Sequence, residues 1–480
     1  MLRKKYLAHK ILFVCLLICG FLSQKLWATE PAKINNKITG ITTTQKTPQD
    51  VTKQTPKDWN FIVYIAGNND LYRFSIANLK QMLKIGSTDT VNIIVQFDEY
   101  LKREVTRYYV EQGNLVIADT KSDSLIATSG TPESLYDFVK WSVTNYKAKH
   151  QAVVLWNHGY GIKDPNIWGR AHMLERDKLF TFNSHIGLLE LNRKHITKTE
   201  TELKSTLEDR GIAFNDTAEE YLTNQDLSNT LEKISKEVLG NKKIDILFMD
   251  ACLMGMVEIG SQIKNYVNYM VASEEVEAGS GYNYTYLLSP FQTGTLSVAD
   301  FARHAIWAYE EEYKLESADY TQSAIALQDF EKLENNIRDM GKTLIQIIEK
   351  DTSSNFFAIL KEIRLKSLYT TEFYDPEYID FTHFYKSLLE LMTKRDITRT
   401  VSRDTATLIK KVNTLTQEGL NMLQNYIIKN TAGVNLDQAY GLAFYFPTQR
   451  VHTSYYKTMF DKKTEWSKFL TAFIRKLKYS

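Results

Sequence analysis

The sequence predicts an α/β fold in three layers, with helices covering both faces of a mostly parallel central sheet. Three observations carry this. Short apolar runs recur: FIVYIA (61–66), VNIIVQF (91–97), AVVLWN (152–157), IDILFM (244–249) and YMVAS (269–273). They are continuous rather than alternating, as strands buried on both faces must be. Helical patterns separate them, at 132–146, 225–239, 254–264 and 297–315, and strands alternating with helices build βαβ units. The 480 residues are 43% hydrophobic and 12% aromatic, which supplies a core and excludes a disordered or fibrous chain.

In chain order, the first segment reads as an export signal. Residues 1–10 carry Arg3, Lys4, Lys5 and Lys10, and residues 11–22 are the apolar run ILFVCLLICGFL. Such a run is short for a bilayer span and suits a signal core. Cleavage after Ala28 is the expectation, with an uncleaved anchor as the alternative. Cys19 does not read as a lipoprotein site, because Ile18 before it is bulky. Residues 29–57, with Pro31, Pro48, Pro56 and much Thr, Lys and Gln, read as a disordered linker or pro-segment.

Loss of residues 1–28 removes five basic groups, so net charge moves from 59 − 57 = +2 to 54 − 57 = −3. That balance gives no electrostatic case for nucleic acid as a partner, nor for a membrane once the signal is gone.

A catalytic domain is expected over 58–330. Within it, residues 164–210 are densely charged, carry His172, His185 and His195, and show no periodicity. A stretch of that length without regular structure is functional or disordered. Strand SAIALQ (323–328) is followed by a largely helical C-terminal region, 331–480, with helices over 329–350, 376–394 and 399–428. A returning strand (441–446) and a last helix (464–478) complete it.

The chemistry is expected at strand ends, because active residues of an open parallel sheet sit past the carboxyl ends of its strands. AVVLWN runs into His158-Gly159, and IDILFM runs into Asp250-Ala251-Cys252. A right-handed crossover through helix 225–239 would set the two strands parallel and deliver both ends to one edge. Cys15 and Cys19 lie in the signal, so the mature chain keeps Cys252 alone. An unpaired thiol in an exported protein is either a reactive group or a buried small hydrophobe. A thiolate attacks, an imidazole shuttles the proton, and a helix starting at Met254 would favour the charged sulfur. The N–H groups of Gly159 and Cys252 are the candidate oxyanion hole. Asp250 could instead cap the following helix.

These residues carry a resemblance. WNFIVYIAGNNDL (59–71), VVLWNHGYG (153–161), IDILFMDACLMGMVE (244–258), VASEEVEAGSGY (271–282) and YGLAFYFP (440–447) resemble the clostripain family of caspase-like cysteine peptidases. The resemblance implies a caspase-like three-layer α/β/α sandwich and a His158–Cys252 dyad. It further implies Asp250 in the pocket for a basic P1 side chain, with Ser273 and Glu274 in the substrate groove. The chain departs from the family at Asn68-Asn69, at Ala278 and at Tyr282.

The family matures by self-cleavage between histidine and cysteine, which the insert would accommodate. Caspase-type enzymes space these residues by about 50 positions. Here 252 − 158 = 94, and subtracting the insert (210 − 163 = 47) leaves 47. Arg170, Arg176, Lys178 and Arg210 are the candidate cut sites, and a two-chain form would result.

Cys–His chemistry requires no cofactor. The insert's histidine spacings, 13 and 10 residues, match no zinc pattern. No EF-hand spacing is present either, so the sequence does not indicate calcium and leaves it open. The resulting expectation is a secreted or periplasmic endopeptidase acting on proteins or peptides with basic P1 residues. Two rivals stand beside it: a same-fold peptidase with another P1 specificity, and a catalytically silent exported binding protein.

Overall fold

A computed structural model describes residues 41–45, 55–102, 104–122, 126–163, 180–191, 211–218, 220–350, 355–395, 398 and 401–479. The signal, most of the linker, and Arg170, Arg176, Lys178, Arg210, His172 and His195 lie outside them. The architecture below is that of the unit Thr43–Ser480.

The strands are β1 (Thr42–Gln45), β2 (Lys57–Ile65), β3 (Val91–Asp98), β4 (Glu104–Glu111), β5 (Asn114–Ser122), β6 (Ala148–Trp156), β7 (Phe180–Asn183), β8 (Leu188–Leu191), β9 (Ile212–Asn215) and β10 (Glu220–Leu222). They continue with β11 (Ile244–Asp250), β12 (Val267–Ala272), β13 (Thr321–Ala326), β14 (Tyr378–Asp380), β15 (Ile427–Ala432) and β16 (Ala443–Tyr445). The main sheet has ten strands in the order β1-β5-β4-β3-β2-β6-β11-β12-β13-β15. Its centre, β3-β2-β6-β11-β12, is parallel throughout. Antiparallel strands extend it on both sides.

The parallel strands are apolar without alternation because each face is covered. On one face Phe61 and Phe248 pack on Phe301 of helix α5 (Val298–Tyr313). On the other, Tyr64 packs on Phe138 of helix α2 (Pro132–Asn145). Helices α3 (Asn224–Lys233), whose Thr223–Asp226 capping box fixes its start, and α4 (Val257–Ile263) follow in the crossovers. This is the mixed α/β, caspase-like architecture that the sequence predicts.

Several elements differ from the expectation. Helix α1 (Tyr72–Ile85) and the hairpin β4–β5 are not foreseen by the apolar runs. Within β4, Arg107 is buried and bonded to Gln96, Asp119 and Asp137, so a charge occupies a core position and breaks the pattern. The insert 164–210 contains a hairpin, β7–β8, joined to the body where Leu189 N–H donates to the Glu316 carbonyl and Leu191 N–H to Asp319. His185 sits exposed on its turn.

The C-terminal region is helical as expected, yet it also supplies β15 to the main sheet. The returning strand β16 pairs with β14, and Ala443 N–H donates to the Gly255 carbonyl beside α4. Among the described residues, no helix is long and apolar enough to cross a membrane.

Candidate active site

Parallel pairing of β6 with β11 sets Trp156 opposite Asp250. His158 and Cys252 each lie two residues further along, so both leave the sheet at one edge. Asn157 N–H donates to the Asp250 carbonyl at 3.2 Å, extending the pairing one step toward the pair. A Cβ on Gly159 would meet the Cys252 carbonyl oxygen at 2.6 Å and Ala251 Cβ at 3.0 Å. The His-Gly turn therefore packs directly against the backbone of Cys252, and only glycine permits that approach.

The thiol is buried, at 6% exposure. Cys252 Sγ accepts a hydrogen bond from Glu277 N–H at 3.2 Å and lies 3.8 Å from the Glu277 carbonyl oxygen. The expected helix start at Met254 is corrected here. Helix α4 begins at Val257, and residues 251–256 form a turn with Leu253 at φ 63°. This turn lies along the segment after β12, with Leu253 N–H donating to the Glu275 carbonyl and Gly255 N–H to Ser273. The sulfur thus faces the backbone of Glu277 rather than the first turn of a helix, and a helix-dipole argument falls away.

On the imidazole, Nε2 lies 2.7 Å from Asp70 Oδ1. The loop carrying Asp70 is tightly held. Asn69 donates to the carbonyls of Ala66 and Phe214, and Phe214 N–H donates to Asn157 Oδ1. Asn68 donates to Asp98 and accepts from Leu101 N–H and the Thr217 hydroxyl. The departure at Asn68-Asn69 thus supplies amides that can both give and accept in a buried crossing of three loops. Asp216 stands near Asp70, and burial with repulsion from Asp70 pushes its carboxyl up to about 6.

Asp250 is buried and accepts from Tyr282 N–H at 3.2 Å and from the Tyr284 hydroxyl at 2.7 Å. A Cβ on Gly281 would collide with this carboxylate, at 2.1 Å from Oδ1. The alternative of Asp250 as a helix cap is not what the structure has.

Ser273 and Glu274 sit in the segment that edges the thiol, but their side chains go elsewhere. The Ser273 hydroxyl meets Thr321 Oγ1 at 2.9 Å, and Glu274 Oε2 accepts from Gly441 N–H at 2.9 Å. Glu274 is fully buried, and burial with repulsion from Asp380 pushes its carboxyl well above the usual range. Glu277, three residues on, is the residue of this segment that meets the thiol, through its backbone N–H and carbonyl.

Asp70 and Glu277 are missed by the sequence reading, and one signal could have found both. Each follows the carboxyl end of a parallel strand, β2 and β12, neighbours of β6 and β11. The strand-end rule applied to His158 and Cys252 covers them equally. Among the described residues, no group of His, Cys, Asp and Glu side chains is arranged to hold a metal ion.

The model of the clostripain family matches residues 63–178 and 198–473. The chain belongs to the clostripain family. It is therefore a cysteine peptidase by kinship, and the solved structures similar to it share its fold. A secreted C11 cysteine protease from Bacteroides thetaiotaomicron, solved with an irreversible peptide inhibitor, superposes with a TM-score of 0.54 at 16% identity. The match covers 86% of this chain and 99% of that one. An inactive zymogen C11 protease from Parabacteroides distasonis gives 0.52 at 14% identity, over 86% and 99% of the two chains. Comparison with curated protein sequences gives no match.

Proposed function

We propose that this clostripain-family peptidase is an exported endopeptidase cutting after Arg or Lys through a thioester on Cys252. The observation that supports it most is the packing of the His158-Gly159 turn on the Cys252 backbone at one sheet edge. His158 takes the thiol proton and Cys252 Sγ attacks the scissile carbonyl. The N–H groups of Gly159 and Cys252 receive the oxyanion. His158 then protonates the leaving amine, and afterwards deprotonates the water that cleaves the thioester. Asp70 is a positioning residue: with Nε2 directed to its carboxylate, Nδ1 is left for the thiol.

Asp250 is the counter-ion of the basic P1 side chain. Export is supported by the basic-then-apolar N-terminus and by the description of a similar protease as secreted. Self-processing within 164–210 is supported by the basic residues there and by a zymogen among the similar structures.

The test compares wild type with Asp250→Ala on peptides differing only at P1 (Arg, Lys, Asp, Asn). Turnover of the Arg peptide should fall about 100-fold, while a small alkylator still labels Cys252 fully. An unchanged Arg preference would remove Asp250 from the pocket. Failure of an arginyl chloromethyl ketone to label wild-type Cys252 would favour the silent binding protein.

A further inference from the structure

The buried group that the mechanism leaves unused is the Glu277 carboxyl. Its backbone touches the thiol, while its carboxyl meets Gln322 and stands beside Asp250. Glu277 Oε1 accepts from Gln322 Nε2 at 3.0 Å. The amide of Gln322 is fixed in that sense, because its Oε1 accepts Ser323 N–H at 3.2 Å. Glu277 Oε2 is buried with no hydrogen-bond donor. So is the hydroxyl of Tyr282, which leaves the same loop. Both groups are 2% exposed or less, and both stand close to the Asp250 carboxylate.

Buried polar atoms are almost always paired, so two orphans beside one carboxylate mark a place for a ligand. The ligand must donate several hydrogen bonds and carry positive charge, as a guanidinium does.

We propose that Glu277, held by Gln322, is a second acid of the P1 pocket, and that it and Asp250 share one proton until a basic side chain displaces it. This rests on the reading of Asp250 as the P1 counter-ion and extends it to a two-carboxyl receptor. The groups facing Glu277 are Asp250, the Cys252 thiol and the phenols of Tyr282, Tyr284, Tyr309 and Tyr313. None is a cation. Burial and repulsion from Asp250 accordingly hold the Glu277 carboxyl well above the usual range. Before a basic side chain binds, the proton lies between the two acids, which accounts for an acceptor oxygen with no N–H or O–H of its own. An entering guanidinium supplies donors to both carboxylates, and the proton leaves to solvent.

Two measurements test this. The first is steady-state kinetics of Glu277→Gln on the Arg peptide. The substitution keeps shape and the Gln322 contact, so KM should rise about tenfold with kcat little changed. Wild-type KM should fall as pH rises, and the variant should flatten that dependence. The second needs no variant: calorimetry of benzamidine binding to wild type in buffers of different ionisation enthalpy. It should report proton release of about one per ligand in mildly acidic buffer.

A KM within about twofold of wild type, or benzamidine binding without proton release, overturns the proposal. An Arg preference that survives Asp250→Ala would overturn the underlying P1 reading as well. Loss of that preference with an unaffected Glu277→Gln would sink the two-carboxyl receptor alone.

Discussion

Asp70 Oδ1 accepts from the imidazole of His158 at 2.7 Å, joining the end of β2 to the end of β6. The imidazole is 5% exposed and the carboxylate 40%. The contact therefore orients a buried ring from a partly wet side, where Coulomb attraction is screened. Its value lies in fixing the tautomer and in stabilising the imidazolium formed after proton transfer. Asp70→Asn keeps the shape but lets the amide N–H face Nε2, which favours the wrong tautomer. We expect kcat/KM to fall about 100-fold, less than for a fully buried acid, with a changed pH profile. An Asp70→Asn enzyme with wild-type kcat/KM and profile would leave the contact without a catalytic consequence.

Gly159 gives a packing prediction. An alanine methyl there cannot avoid the Cys252 carbonyl oxygen, because that atom belongs to the backbone turn after β11. Gly159→Ala should cost about 2 kcal/mol of stability and reduce peptide turnover more than stability alone explains. A denaturant titration beside an active-site labelling assay separates the two effects. Equal activity per labelled thiol would mean that the turn relaxes without disturbing the site.

Much of this site is legible in the sequence, because strand ends are visible as the points where apolar runs stop. His158, Cys252 and Asp250 lie at such points, and the parallel register brings them to one edge as the crossover rule requires. The β4–β5 hairpin is hidden because a buried arginine interrupts its apolar face. The edge strand β15, IIKNTA, is polar and only partly buried, so it carries little periodic signal. The false helix start at Met254 has a different cause. LMGMVEI is apolar enough for helix, but the backbone N–H groups of Leu253 and Gly255 are taken by the segment after β12. Tertiary pairing there overrides local propensity.

Glu274 and Asp380 give a prediction about stability and pH. Glu274 is raised well above its usual range by burial and by Asp380, and Asp380 is itself raised to about 6 by burial. Each raised acid holds its proton in the folded chain after the unfolded chain has lost it. Stability is therefore greatest below the unfolded carboxyl range and falls as pH rises toward the folded values. Glu274→Gln reproduces the protonated acid: its oxygen can accept Gly441 N–H while its amide donates to Asp380. The variant should gain about 1 kcal/mol above neutral pH and nothing in acid. Thermal unfolding at the two extremes checks it, and an equal shift at both would contradict a raised Glu274 carboxyl.

Self-processing can be separated from dissociation. A cut anywhere in 164–210 falls between β6 and β11, yet these strands pair along Ala152–Trp156 and Ile246–Asp250 in the centre of the sheet. Either side of the insert is also anchored. Lys163 pairs with Asp375 and Glu377 at 2.6 and 2.7 Å, and Ile212 bridges Gly159. Two chains made by cleavage should therefore remain one particle until the sheet itself unfolds. Wild type should give two bands in denaturing gels and one peak in native size exclusion, while Cys252→Ala gives one band and the same peak. Equal processing of both proteins would assign the cut to another protease. Separation of the fragments under native conditions would mean that the paired strands are not held by the central sheet.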